Sequence, residues 1–165
     1  MPRAADDGPV VMSVFDRLLD DDPGSMQEAR KPRGKALGDL RDALRRDLEA
    51  LLNARPCSTT WSPSFAELDR SILNYGVTTV TSADFSTDDN RERFRAAVER
   101  TIQRFEPRFL RVSVSLIDDA ERVDRTLRFR IEALVQAKPA PEPIVFDSVL
   151  DPSTQGVTVL APRDV

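Results

Sequence analysis

Hydrophobic positions along this chain change their period once, near residue 107. Upstream they recur at steps of three and four. Leu37, Leu40, Leu44, Leu48, Leu51 and Leu52 form one such stripe, with Arg41, Arg45, Arg46 and Glu49 on the remaining positions. The spacing predicts an amphipathic helix over about 37–54, closed by Arg55-Pro56. A second stripe, Phe94, Ala97, Val98, Thr101, Ile102 and Phe105, predicts another helix. Ser86 or Thr87 is its cap, and Asp88 and Asp89 occupy its favourable first turn. Pro107 has no N–H and pushes Glu106 out of the helical region, so this helix stops near Phe105. Downstream the period becomes two. Val112, Val114 and Leu116 alternate with Arg111, Ser113 and Ser115, and Leu127, Phe129, Ile131 and Ala133 alternate with Arg128, Arg130 and Glu132. These read as an antiparallel hairpin across the polar stretch 118–124, covered on one face by the helices. Residues 138–143 form a stiff three-proline spacer, and 144–150 and 157–160 read as two further strands around a turn at 151–156.

The remaining segments are less regular. Residues 57–64 form a loop with Trp61 expected to fold over the core edge. In 65–80, Leu68, Ile72 and Leu73 are expected to be buried. Asn74-Tyr75-Gly76 reads as a turn whose glycine supplies a positive φ and whose tyrosine ring points inward. Near the N-terminus, S-V-F-D-R-L-L-D at 13–20 places Val14, Phe15, Leu18 and Leu19 on one side of a short helix. A helix of that length does not hold itself, so this side should dock on the domain or on another chain. The expected architecture is α+β: two main helices plus the short N-terminal one, packed on one face of an antiparallel sheet of about four strands. Residues 1–35 read as an N-terminal extension with a docking helix and linker, and 36–165 as a single domain.

Composition narrows the function. At 165 residues the chain can bury a real core, and a net charge of −4 disfavours a nucleic-acid partner. No apolar run approaches the ~20 residues needed to cross a bilayer, which argues against membrane insertion. Residues 1–7 lack a signal-peptide pattern, and Cys57 is the only cysteine, so a cytoplasmic location is expected. Histidine is absent, which excludes Ser-His and Cys-His nucleophilic systems and His-ligated metals. Apart from Lys31, Lys35 and Lys138, every basic residue is arginine. Arginine favours bidentate carboxylate contacts at interfaces, although a GC-rich genome explains the bias equally well.

The one special charged setting is Glu106-Pro107-Arg108, two opposite charges flanking a rigid imide at a helix exit. Its spacing alone also fits a plain helix stop. Two-carboxylate hydrolysis would use Glu106 as acid with Asp84, Asp118 or Asp119 as partner. An arginine two residues away is the wrong neighbour for a group that must carry its proton. No phosphate loop, nucleophile elbow or metal-spaced carboxylate set is present. The residues therefore predict no enzyme, no catalytic residue, no cofactor and no metal.

Four segments together resemble the TssE family, the baseplate subunit of bacterial type VI secretion systems. That family is related to the baseplate wedge protein of contractile-tailed phages, once described as lysozyme-like. The segments are S-V-F-D-R-L-L-D (13–20), R-D-L-E-A-L-L-N-A-R (46–55), S-I-L-N-Y-G (71–76) and R-F-E-P-R-F (104–109). Ala54 departs from the pattern, where threonine is common. The resemblance implies a cytoplasmic structural subunit that links the wedge complex to the contractile sheath and initiates sheath polymerisation. Its implied partners are wedge subunits of the TssF, TssG and TssK type and sheath subunits of the TssB and TssC type. Glu106, Pro107 and Arg108 would bind the wedge, and Phe15, Leu18 and Leu19 would dock the N-terminal segment. Val157, Thr158, Val159 and Leu160 would offer a free strand edge to sheath. On that view Arg108→Ala should stop assembly and leave the fold intact. The alternatives are a peptidoglycan-degrading enzyme of the older description and a wedge protein of a phage or phage-derived particle.

Overall fold

The computed structural model describes Leu18, Gly24 and residues 33–62, 64–77, 87–117, 126–137, 140–151 and 153–161. Helix α1 (Arg33–Asn53) comes first, then two short 3-10 turns, Ala66–Arg70 and Ile72–Asn74, and helix α2 (Asp88–Phe105). Four strands follow: β1 (Phe109–Ile117), β2 (Leu127–Val135), β3 (Glu142–Asp151) and β4 (Gly156–Val159). They pair antiparallel in chain order, β1-β2-β3-β4. Helices precede a meander, so the expected α+β class holds. The expected extension 1–35 falls largely outside the described residues.

The change of period is the reason for this order. Leu40, Leu44, Leu48, Leu51 and Leu52 of α1 and Phe94, Val98 and Ile102 of α2 are buried in one core. They meet the inward row of the sheet, in which Val114 pairs with Ile131 and Ile131 with Phe146. Phe129 and Phe146 are fully buried, and burial of each stabilises the fold by roughly 1.5–3 kcal/mol. Phe94 stands edge-on to Phe129, with ring centroids 5.8 Å apart. On the opposite face Arg130 donates from Nε to Asp147 at 2.8 Å.

Three expectations change. Ile72 is 86% exposed and Leu73 45%, and Leu68 is only half-buried. The segment forms 3-10 turns, too short to present an apolar stripe. Ser71 holds them by accepting from the Leu73 N–H and donating to the Leu68 carbonyl. Trp61 is half-buried but lies outside the core, lining an open hollow of about 500 Å³ with Pro56, Asp69 and Asn74. Pro143, assigned to the spacer, belongs to β3 opposite Leu134. A proline is tolerated in this inner strand because β4 pairs only with Ser148–Asp151. At Pro143 the β4 side is unpaired, so the missing N–H breaks no ladder bond.

Candidate functional site

The chain turns from α2 into β1 through Glu106-Pro107-Arg108. Glu106 donates its N–H to the Ile102 carbonyl at 2.9 Å, the last helical bond, and the Phe109 N–H returns to the Glu106 carbonyl at 3.2 Å. Pro107 stays exposed at the tip. The charged groups on either side turn inward. The Glu106 side chain is only 8% exposed. It accepts from Arg108 Nε at 2.6 Å, from Nη2 at 2.5 Å, and from the Arg108 N–H at 3.2 Å. Nη2 also donates to Asp47 of α1 at 2.6 Å. The guanidinium is thus held far above its ordinary pKa, chiefly by its hydrogen bonds to Glu106, with burial opposing. Its Nη1 is buried without a hydrogen-bond partner.

Asp47 is the member of this clamp that linear reading missed. It lies 61 residues from Arg108, and no spacing rule links a helix position to a corner that far away.

The tyrosine-glycine turn packs into the same corner. Tyr75 meets Phe105 edge-on, with centroids 5.4 Å apart. Burial raises the Tyr75 pKa, and the carboxylates of Asp47 and Glu106 add to the effect, while Arg108 opposes it. Gly76 has φ +116°, and a Cβ there would sit 2.2 Å from the Ala54 carbonyl oxygen. That close approach lets the Val77 N–H bond the same oxygen at 3.2 Å. Three of the four segments noted in the sequence therefore meet at one end of the molecule: the close of α1, the tyrosine-glycine turn and the Glu-Pro-Arg corner.

At the β4 margin the expectation of an unpaired rim is corrected. Val157 and Val159 turn their backbone groups away from β3, and α1 bonds them. Asn53 accepts from the Val157 N–H and donates to its carbonyl, both at 2.8 Å. Glu49 accepts from the Val159 N–H at 3.1 Å, and Arg45 reaches the Val159 carbonyl at 3.5 Å. Thr158 and Leu160 remain exposed. A partner strand pairing here would first have to displace these three side chains.

Of the N-terminal docking residues, Leu18 is helical and 77% exposed. Phe15 and Leu19 lie outside the described residues. No described helix is long and apolar enough to cross a membrane.

Two helices laid over one face of a four-stranded meander, with a charged corner tying α1 to the α2–β1 junction, define the class of protein. The sequence profile of the family described as baseplate wedge protein gp25 matches residues 38–140, and the chain belongs to that family. No curated protein and no solved structure matches it. The family role is that of a component of a phage-tail-like baseplate, in contact with other baseplate proteins.

Proposed function

We propose that this chain is a TssE-type subunit of a type VI secretion baseplate. In this reading it is a cytoplasmic, non-enzymatic adaptor between wedge subunits of the TssF, TssG and TssK type and sheath subunits of the TssB and TssC type, and it starts sheath polymerisation. The observation that carries the reading is the convergence of three family-like segments on one corner. That corner also bears the exposed apolar residues Ile72 (86%) and Leu73 (45%), with Phe65 (59%) nearby in sequence. Large apolar groups left in water beside a rigid corner suit a protein partner. Glu106 and Arg108 then act by fixing the shape of the corner, because their charges are spent on each other and on Asp47. Pro107, at the tip, is what a wedge subunit touches. Leu18, 77% exposed, gives a second attachment point, and β4 receives sheath only if α1 releases it.

A tagged chain expressed in its own host tests this. Wedge and sheath subunits should co-purify with it, and replacing Ile72 and Leu73 together by Ser should remove the wedge subunits and leave the circular dichroism spectrum unchanged. Retained wedge subunits in that variant would refute the assignment of the corner. Release of labelled fragments from peptidoglycan, lost in Glu106→Gln, would instead favour the enzyme. Co-purification of phage tail proteins would place the chain in a phage-derived particle.

A further inference from the structure

Both outer strands of the sheet are met by the same side-chain row. On α1 the row is Arg45, Glu49 and Asn53; on α2 it is Arg95, Glu99 and Gln103, each spaced i, i+4, i+8. On β4, Glu49 takes the Val159 N–H and also bonds Arg45 at 3.4 Å, while Arg45 reaches the carbonyl of the same valine. On β1, Glu99 takes the Val114 N–H at 3.1 Å and bonds Arg95 at 2.7 Å, while Arg95 reaches the Val114 carbonyl at 3.1 Å. In each case one carboxylate and one guanidinium close the outward N–H and C=O of a single edge valine.

The geometry follows from element dimensions. Four residues of helix rise about 6 Å, and two residues of strand advance about 6.8 Å, so a helical row keeps step with every second strand residue. Asn53 continues the row and makes the two-way bond to Val157 that a strand residue would make. The α1 row is, in hydrogen-bonding terms, a substitute fifth strand. On α2 the corresponding position is Gln103, which is exposed and makes no bond to β1 among the described residues. The β4 margin is thus sealed at both of its outward residues, and the β1 margin is pinned at Val114.

We propose that the two rows are edge guards that keep the sheet from pairing with a second copy of this chain, with the α1 row the principal one. β4 reads Gly-Val-Thr-Val and is followed by exposed Leu160. A valine-rich edge with open backbone groups and no flanking lysine is a template for self-pairing. The guard residues themselves are at least partly exposed: the Arg45 and Glu49 side chains are 35% and 37% accessible and Asn53 is exposed. They contribute little to the core, so their removal should open the edge without dissolving the fold.

The test uses the full chain, sized by light scattering across a concentration series. Wild type should be monomeric. Glu49→Ala/Asn53→Ala should self-associate, with at least a tenfold rise in the dimer fraction at equal concentration. Adding Thr158→Lys, on the exposed side of β4, should restore the monomer by setting like charges against each other in the paired edge. Hydrogen exchange on wild type gives a second readout that does not depend on the variant folding. The Val157 and Val159 amides should be protected as well as ladder amides although they point away from the sheet. A folded double variant that stays monomeric, a wild type already paired through β4, or free-rate exchange at those two valines would each overturn the proposal.

Discussion

Replacing Arg108 by Ala should unfold this protein more easily, contrary to the expectation that the residue serves a partner alone. Removing the guanidinium deletes two bonds to Glu106 and one to Asp47. The carboxylate of Glu106, 8% exposed, is left with the backbone N–H of residue 108 as its remaining neighbour of this set. Breaking a buried ion pair from one side costs about 3–5 kcal/mol, because the surviving charge stays desolvated. Arg108 is 22% exposed and Asp47 34%, and water softens the loss on that side. The low end, about 3 kcal/mol, is therefore expected. For a domain of this size that lowers Tm by roughly 6–12 °C. Urea denaturation is the assay, with an unchanged m-value showing that only stability moved. A double-mutant cycle with Asp47→Ala separates the α1 arm of the clamp, and coupling of about 1 kcal/mol or more is expected for residues in direct contact. Loss of less than about 1 kcal/mol in Arg108→Ala would refute the reasoning, since an exposed pair gives no more than that. It would then follow that the corner is open in solution and that its charges are available to a partner.

Gly76→Ala should destabilise by at least about 2 kcal/mol, because a side chain at positive φ is strained and its Cβ meets the Ala54 carbonyl oxygen at 2.2 Å; thermal melting checks this, and a wild-type Tm would refute the close approach. Tyr75, the only tyrosine, should ionise above the usual phenol range in an ultraviolet titration, because burial favours its neutral form. A folded-state pKa raised above the unfolded one contributes stability that is present below the unfolded pKa and lost as pH rises through the folded value. Arg108→Ala should push the Tyr75 midpoint higher still, since it removes the one neighbouring charge that lowers it.

Much of the fold was legible because local rules set it. The three-and-four spacing of the leucines gave α1 and that of Phe94 to Phe105 gave α2. Pro107 marked where α2 had to end, and the period-two alternation gave β1 and β2 with their inward faces. Gly76 was readable as a positive-φ turn from its neighbours alone. The segment 65–73 is not readable in this way, because 3-10 turns carry too few residues for a burial period, and Ile72 and Leu73 stand outside the core that their apolar side chains predict. The candidate site divided in the same way. Glu106-Pro107-Arg108 stood out in the sequence as a charged corner, but the direction of its side chains depended on Asp47, which only the packing of α1 brings within 2.6 Å. The β4 margin was identifiable as a terminal strand. That α1 already occupies it depends on the match between helical rise and strand spacing across more than 100 residues of chain. Sequence alone determined where the two long helices and the four strands lie to within a few residues, because propensity and periodicity act over a few neighbours. Which charges face each other, and which edge is closed, was decided by tertiary structure, because hydrogen bonds act over about 3 Å in space regardless of separation along the chain.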